Sequence, residues 1–365
     1  MYIWEQAAWP RFRWDAEALL GPLGEARLKQ GRLLGRMQAL GFDLQLEAQL
    51  QALTAEAVKS SDIEGEVLDA ASVRSSLARR LGVPEAAAAP VDRRAEGVAE
   101  MMLDATRNHS APLTAERLFA WHAALFPTGY SGLSRIRTGG WRDDASGPMQ
   151  VVSGALGRER VHYQAPPAAR LGEEMSAFLA WFEAPAPMDG LLRAGLSHLW
   201  FVTIHPFEDG NGRIARAIAD LALARSEGSP QRFYSLSSQI RRERADYYAQ
   251  LEATQKGGLE VTAWLAWFLA SLGRALDGAE AEMAGVLRKA EFWRTRQALP
   301  LNPRQRLVLN RWLDGFEGHL TARKWAVLAK CSPATAQRDI ADLLDRGVLV
   351  RNPGGSKNTS YGIAG

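Results

Sequence analysis

Cysteine is nearly absent from this chain. Cys331 is the only one in 365 residues, so no internal disulfide can form and a cysteine-rich zinc site is excluded. Long apolar runs are missing as well, and none approaches the roughly 18 residues that a membrane-spanning helix needs. The opening stretch MYIWEQAAWPRFRWD mixes aromatic with charged residues and lacks the unbroken apolar core of a signal peptide. No repeat recurs at a fixed period. With 47% hydrophobic and 23% charged residues, the composition is that of an ordinary soluble globular protein, and it reads as cytoplasmic with no membrane partner.

A strong charge of one sign is also lacking, since the net charge is only +3. Its distribution is uneven. From Val286 to Gly365 there are 14 Lys or Arg against 6 Asp or Glu, a net of +8, which leaves −5 for the other 285 residues. The basic excess therefore sits in a C-terminal piece that calls for its own account.

Helical periodicity runs almost throughout, so the chain reads as mainly α with three pieces. Residues 1–88 form an N-terminal helical piece that closes in the Pro- and Ala-rich stretch GVPEAAAAPVD, a linker composition. Residues 89–285 form a helical body interrupted at 139–167, where turn residues surround MQVV and RVHY and predict a β-hairpin. GLLRAGLSHLWFVTI then reads as an apolar helix ending at His205, and RIARAIADLALARSEG as a second helix stopped by Gly228. Residues 286–365 run helix, helix, turn, helix, then two short strand patterns around Pro353-Gly354-Gly355, the order of a winged helix-turn-helix.

The stretch HPFEDGNGR, residues 205–213, carries the chemistry. Gly210 and Gly212 permit backbone conformations that turn consecutive N–H groups inward, and the helix that follows directs its positive end at the same spot. The result suits phosphate. Arg213 and Arg216 share a helical face and can both reach a polyphosphate. Asp209 offers a hard oxygen ligand for Mg²⁺. His205 is placed to take a proton from an incoming hydroxyl. Together these groups fit phosphoryl or nucleotidyl transfer.

His-Pro-Phe-x-Asp-Gly-Asn-Gly-Arg-x-x-Arg, complete from His205 to Arg216, resembles the signature of the Fic family across twelve contiguous positions. The resemblance implies an all-helical core topped by a β-hairpin flap, and transfer of AMP from ATP, with Mg²⁺, to a Ser, Thr or Tyr hydroxyl of a protein. By it His205 is the base and Asp209 the metal ligand. Asn211 with the Gly210 and Gly212 backbone holds the transferred phosphate, and Arg213 and Arg216 bind the distal phosphates. The hairpin at 139–167 then corresponds to the flap that aligns the target. ADYYAQLEATQ is similar to the segment lining the family's adenine pocket, which makes Tyr248 and Gln255 candidate nucleoside contacts. Some family members use other nucleotide donors.

SSDIEGE is similar to a second family element, an inhibitory helix ending Ser/Thr, three residues, Glu, then Gly or Asn. Ser60, Glu64 and Gly65 fit it. The resemblance implies that Glu64 pairs with Arg216 and keeps ATP from seating productively, and that the same acid can serve removal of AMP. The partners it implies are target-protein hydroxyls, the chain's own hydroxyls and a second copy of the chain. The aromatic opening (Trp4, Trp9, Phe12, Trp14) resembles an N-terminal helical domain found beside some bacterial members, where these rings pack on the core.

In the basic piece, SPATAQRDIADLLDRGVL resembles the recognition helix of bacterial regulators, with Thr335, Gln337 and Arg338 near its start and Arg351 and Lys357 beside the expected wing. DNA is one partner this implies, and a docked protein or a second copy of the chain is the other, since winged helices also serve as docking and dimerisation modules. The alternative to an autoinhibited AMP transferase is therefore a DNA-binding regulator whose Fic core senses nucleotide. A third reading, a metal-dependent hydrolase, would use His198 and His205, seven apart.

Overall fold

A computed structural model describes residues 1–83, 90, 92–145, 147–154, 158, 160–185, 187–296, 299–313, 319–353 and 359–364. Contacts divide the chain into two units, Met1–Glu280 and Ala281–Gly365. The first unit opens with α1 (Ala16–Gln38), α2 (Phe42–Ile63), α3 (Ala70–Leu81), α4 (Arg93–Arg107) and α5 (Ala115–Leu125). Two small hairpins follow, β1 (Tyr130–Ser131) with β2 (Ser134–Arg135) and β3 (Gln150–Ser153) with β4 (Arg160–Gln164). After them come α6 (Leu171–Glu183), α7 (Gly190–Ile204), α8 (Asn211–Glu227), α9 (Leu236–Arg242) and α10 (Arg244–Gln255). The helix α11 (Thr262–Thr295) runs through residue 285, so the boundary expected between 285 and 286 falls inside it. The chain is mainly helical, as its periodicity predicts.

Local chemistry sets the helix ends. Asp15, Asp69, Asp92, Thr114 and Asp189 each accept a hydrogen bond from a first-turn N–H with the side chain, a cap whose loss costs about 1 kcal/mol. Gly228 stops α8 in the left-handed conformation that only glycine adopts without strain.

The helix α7 is buried on every side, with Leu191, Leu199, Phe201 and Ile204 all at zero exposure, as befits a helix apolar all round. Against it packs α8, whose Ile214, Ile218 and Leu221 are equally buried. The helix α2 packs on α3, α4, α8 and α9. Residues from the 1–88 piece and from the 89–285 piece therefore share one core, because α2 buries its apolar stripe against helices drawn from both.

The strands β3 and β4 are antiparallel, in register Gln150 with Gln164 and Val151 with Tyr163, with an irregularity between Val151 and Val152. This is the hairpin predicted within 139–167. The aromatic opening of the chain packs at its base. Trp4 donates from its indole nitrogen to the Gln164 carbonyl at 2.8 Å, and Trp9 and Phe12 meet the edge of Trp200 on α7. Rings of this size contribute about 1.5–3 kcal/mol each when buried.

The second unit carries α12 (Pro303–Leu313), α13 (Ala322–Leu328) and α14 (Pro333–Asp345) beside strands β5 (Leu320–Thr321), β6 (Leu349–Arg351) and β7 (Ser360–Ile363). The strands form an antiparallel sheet in the order β5-β7-β6. Val308, Leu309, Trp325, Ala336, Ile340 and Leu343 form its core. The short β5 has no strand pattern of its own in the sequence and is held by β7 alone. Gln337, Arg338 and Arg351 are exposed and Thr335 is half-buried. Lys357, Gly354 and Gly355 lie outside the described residues, as does most of the expected linker.

Candidate active site

The motif occupies the turn from α7 to α8. His205 closes α7 in the left-handed conformation, with φ 52°, an uncommon state for a residue with a side chain. Its Nδ1 donates to the Val202 carbonyl at 3.1 Å, which leaves Nε2 as an acceptor. Burial, with the nearby Arg142 guanidinium, pulls its pKa below the usual histidine value, so the neutral ring is favoured. The side chain of Arg142 is itself fully buried and fastens this turn. Its Nε donates to the His205 carbonyl at 2.8 Å and its Nη2 to the Pro166 carbonyl at 2.6 Å.

Gly210 caps α8 at φ 81°, and a Cβ there would also press on Phe126 at 2.9 Å. Asn211 is only 2% exposed. Its side chain accepts from the Phe207 N–H at 2.9 Å and donates to the Phe207 carbonyl at 2.8 Å. One amide N–H of Asn211 and its amide oxygen are thus engaged in closing the loop, which fixes the side chain at the start of α8. Main-chain N–H groups at the start of α8 remain as donors.

Asp209 sits at the mouth of this turn. One oxygen accepts from the Gly210 N–H at 2.5 Å and the other from the Ser131 hydroxyl. Below it, the buried His122 ring stacks on Phe207 at 4.2 Å and donates from Nε2 to the Asp209 carbonyl at 3.2 Å. Burial lowers the pKa of His122 to about 4, so it stays a neutral prop. Sequence reasoning missed His122, Ser131 and Arg142, and no local pattern marks them.

Both motif arginines are buried and both face carboxylates from the end of α2. Arg216 Nη2 meets Glu64 Oε1 at 2.8 Å, with the two side chains 1% and 29% exposed. Arg216 also donates from Nε to the Ser60 hydroxyl at 2.9 Å and from Nη2 to the Ser60 carbonyl at 2.7 Å. The structure therefore brings Ser60, Glu64 and Arg216 together across 152 residues of sequence. Arg213 pairs with Glu66 and lies over the Phe126 ring, 4.9 Å from its centre. A Cβ on Gly212 would fall 2.1 Å from Glu64 Oε1, so the Glu64 carboxylate stands on the first turn of α8, where that turn favours an anion.

Tyr248 and Gln255 part company. The Tyr248 hydroxyl reaches the Ile63 carbonyl at 3.3 Å and Glu64 Oε2 at 3.4 Å, next to the arginine pair. Gln255 is 5% exposed and donates to the Thr203 hydroxyl at 3.3 Å. It ties α10 to α7, and that burial corrects its expected place at a nucleoside. His198 is turned away as well. Its Nε2 contacts the Tyr247 hydroxyl at 2.9 Å, its ring stacks on Trp264, and burial takes its pKa to about 3. Among the described residues no group of three or more His, Cys, Asp or Glu is placed to hold a metal ion, so the two-histidine hydrolase loses its ligand set.

A cavity of about 680 Å³ opens beside Asp209 and Arg213, with Glu64, Glu66 and Arg94 on its wall. Among the described residues no helix is long and apolar enough to cross a membrane.

Comparison with known proteins converges on one family. Residues 112–223 match the Fic/DOC family, and residues 2–83 match a domain of unknown function, DUF4172. The chain is 36% identical over 89 residues to a protein adenylyltransferase, fic-1, of Caenorhabditis briggsae, which is 24% of this chain and 16% of that protein. It is 30% identical over 125 residues to a uridine 5'-monophosphate transferase of Xanthomonas campestris pv. campestris (strain 8004), or 32% of this chain and 22% of that one. These matches span less than a quarter of either relative. The crystal structure of a Fic family protein from Desulfovibrio desulfuricans G20 superposes with a TM-score of 0.54 at 21% identity, covering 96% of this chain and 97% of that one. The helical fold, the complete 205–216 loop and the family match agree in placing the similarity to the Fic/DOC family on residues 112–223.

Proposed function

We propose that this protein is an adenylyltransferase that moves AMP from ATP to a protein hydroxyl and is held in check by Glu64. The observation that carries the reading is the placement of a neutral imidazole with a free Nε2 beside a helix start whose two arginines are each occupied by a carboxylate.

In this mechanism the main-chain N–H groups at the start of α8 hold the α-phosphate, and Arg213 and Arg216 hold the two phosphates beyond it. His205 Nε2 takes the proton as the target oxygen bonds to the α-phosphorus, and the bond from that phosphorus to the departing pyrophosphate breaks. Arg142 fixes the His205 main chain, and His122 fixes that of Asp209. Asp209 would hold Mg²⁺ together with phosphate oxygens and water. The fit is chemically sound, because Mg²⁺ commonly takes one or two carboxylates and completes its shell from substrate. When bound, the ion neutralises phosphate charge. The flap strands β3 and β4 offer an edge on which a target segment adds as a strand.

Glu64 stands on the α8 turn and binds Arg216, so an incoming polyphosphate must displace it. Leaving a buried arginine without its carboxylate costs about 3–5 kcal/mol, and the partial exposure of Glu64 lowers that figure. Adenine as the base rests on the protein adenylyltransferases among the similar sequences, against which stands one uridine 5'-monophosphate transferase. Incubating wild type and Glu64→Gly with labelled ATP or labelled UTP and a bacterial lysate decides it. Transfer of label from ATP, raised by Glu64→Gly, supports the reading; transfer from neither nucleotide overturns it.

The DNA-binding regulator draws on a different part of the chain, the basic Ala281–Gly365 unit with Gln337, Arg338 and Arg351 exposed. Retention of the full chain on duplex DNA that falls steeply with salt and weakens with Arg338→Ala would favour it. No retention at low salt would rule it out.

A further inference from the structure

Glu66 lies one residue beyond the Ser60–Gly65 element, yet it holds the other motif arginine. The chain leaves α2 through Gly65, which is left-handed at φ 84°, and the Glu66 N–H returns to the Ser61 carbonyl at 3.0 Å. This turn puts Glu64 and Glu66 on the two arginines of α8, Arg216 and Arg213. Glu66 does more than pair once. Its Oε2 takes Arg213 Nη1, while its Oε1 faces Arg94 Nη1 of α4 at 3.7 Å. One carboxylate thus spans cations from two helices with its two oxygens, as a bridging phosphate would.

The two cations differ in a way that suits ligand capture. Arg213 is 4% exposed, held over Phe126, and its Nε has no hydrogen-bond partner among the described residues. It is a fixed donor. The Arg94 side chain is 58% exposed, and among the described residues its ion-pair partners are Glu66 at 3.7 Å and Asp92 at 3.9 Å, so it is a movable arm. Both line the cavity of about 680 Å³ shared with Asp209 and Glu64, a size within the usual range for small-molecule sites.

We propose that Arg94 and Arg213 form a binding site for the terminal, pyrophosphate-like part of a polyphosphate, and that Glu66 occupies this site until the ligand displaces it. The inference rests on the adenylyltransferase reading for its ligand class. It adds a third cation to the two motif arginines and makes the brake double, one acid per arginine.

The test titrates inorganic pyrophosphate, without nucleotide, into the full chain carrying Glu64→Gly, followed by calorimetry. Adding Glu66→Gln should tighten pyrophosphate binding about tenfold, the scale of one charge-assisted hydrogen bond to the phosphate, and adding Arg94→Ala should remove most of that improvement. Unchanged affinity on Glu66→Gln, or an improvement that survives Arg94→Ala, overturns the site. If the Glu66 variant folds poorly, Arg94→Ala in the Glu64→Gly chain answers alone, since Arg94 is largely exposed: weaker pyrophosphate binding supports the site and unchanged binding overturns it. The titration needs no transfer. Pyrophosphate binding that follows Arg94 in a chain unable to label any protein from ATP would keep the site and defeat the adenylyltransferase reading. Labelling from ATP with pyrophosphate binding indifferent to Arg94 and Glu66 would do the reverse.

Discussion

Glu64 Oε1 lies 2.8 Å from Arg216 Nη2 and stands where a side chain on Gly212 would have to go. A single carboxylate therefore touches both the arginine and the helix turn that the proposed mechanism assigns to phosphates. Its removal frees both at once. Glu64→Gly should raise the initial rate of AMP transfer by roughly tenfold or more, since the pair is worth more than about 1.4 kcal/mol even after allowance for solvent. Labelled-ATP incorporation measures this. A rate equal to wild type would mean that Glu64 does not restrain the enzyme.

His205 is the proposed base, and its substitution should separate chemistry from binding. In the Glu64→Gly chain, His205→Ala should cut the transfer rate by about 10²-fold or more and leave ATP affinity, followed by calorimetry, within the scatter of the parent. Loss of ATP binding would give His205 a structural role instead.

The pH dependence follows from the same ring. A base acts when neutral, and burial beside Arg142 holds the His205 pKa below its usual 6.5. Activity of the Glu64→Gly chain should therefore be level around neutral pH and decline only as pH falls through a value under 6.5. An acid limb centred above 6.5 would contradict the buried, neutral imidazole.

Gly212→Ala makes a sharper test of the cradle. The new methyl group would sit 2.1 Å from Glu64 Oε1, so the variant should unfold at lower temperature than wild type. Glu64→Gly should restore much of that loss by removing the colliding oxygen. It should not restore transfer, because the methyl group remains over the turn that receives phosphate. Full recovery of both stability and activity would detach Gly212 from phosphate binding.

Gln255→Ala should behave as a core substitution. It removes one hydrogen bond between α10 and α7 and should cost about 1 kcal/mol in chemical denaturation, with the KM for ATP unchanged. A raised KM at constant stability would return Gln255 to the nucleotide.

What the sequence disclosed and what it hid divides along physical lines. The loop from His205 to Arg216 is contiguous, so its glycines, its acid and its arginines could be read from spacing and helix electrostatics. The helices α7 and α8, the Gly228 stop and the flap hairpin are likewise local patterns of apolar and turn residues. Ser60 and Glu64 were legible through a short motif. Glu66 was not, although it lies two residues further on, because its arginine is 147 residues away and nothing periodic connects them. The same holds for Arg142, which reaches the motif only through main-chain oxygens. Gln255 misled for a different reason: an amide on a helix looks alike in sequence whether it faces a ligand or is buried among neighbours.

The placement of α2 has one more consequence. Ser60 and Ser61 show no exposure, and their helix is packed among α3, α4, α8 and α9. The proposed restraint is therefore built into the body of the molecule and is not a detachable tail. Clipping it away would cost the protein its interior, so an activator has only the final turn around Gly65 to work on. Under the proposed mechanism, whatever lifts Glu64 from Arg216 must act over a few residues and leave the rest of the scaffold standing.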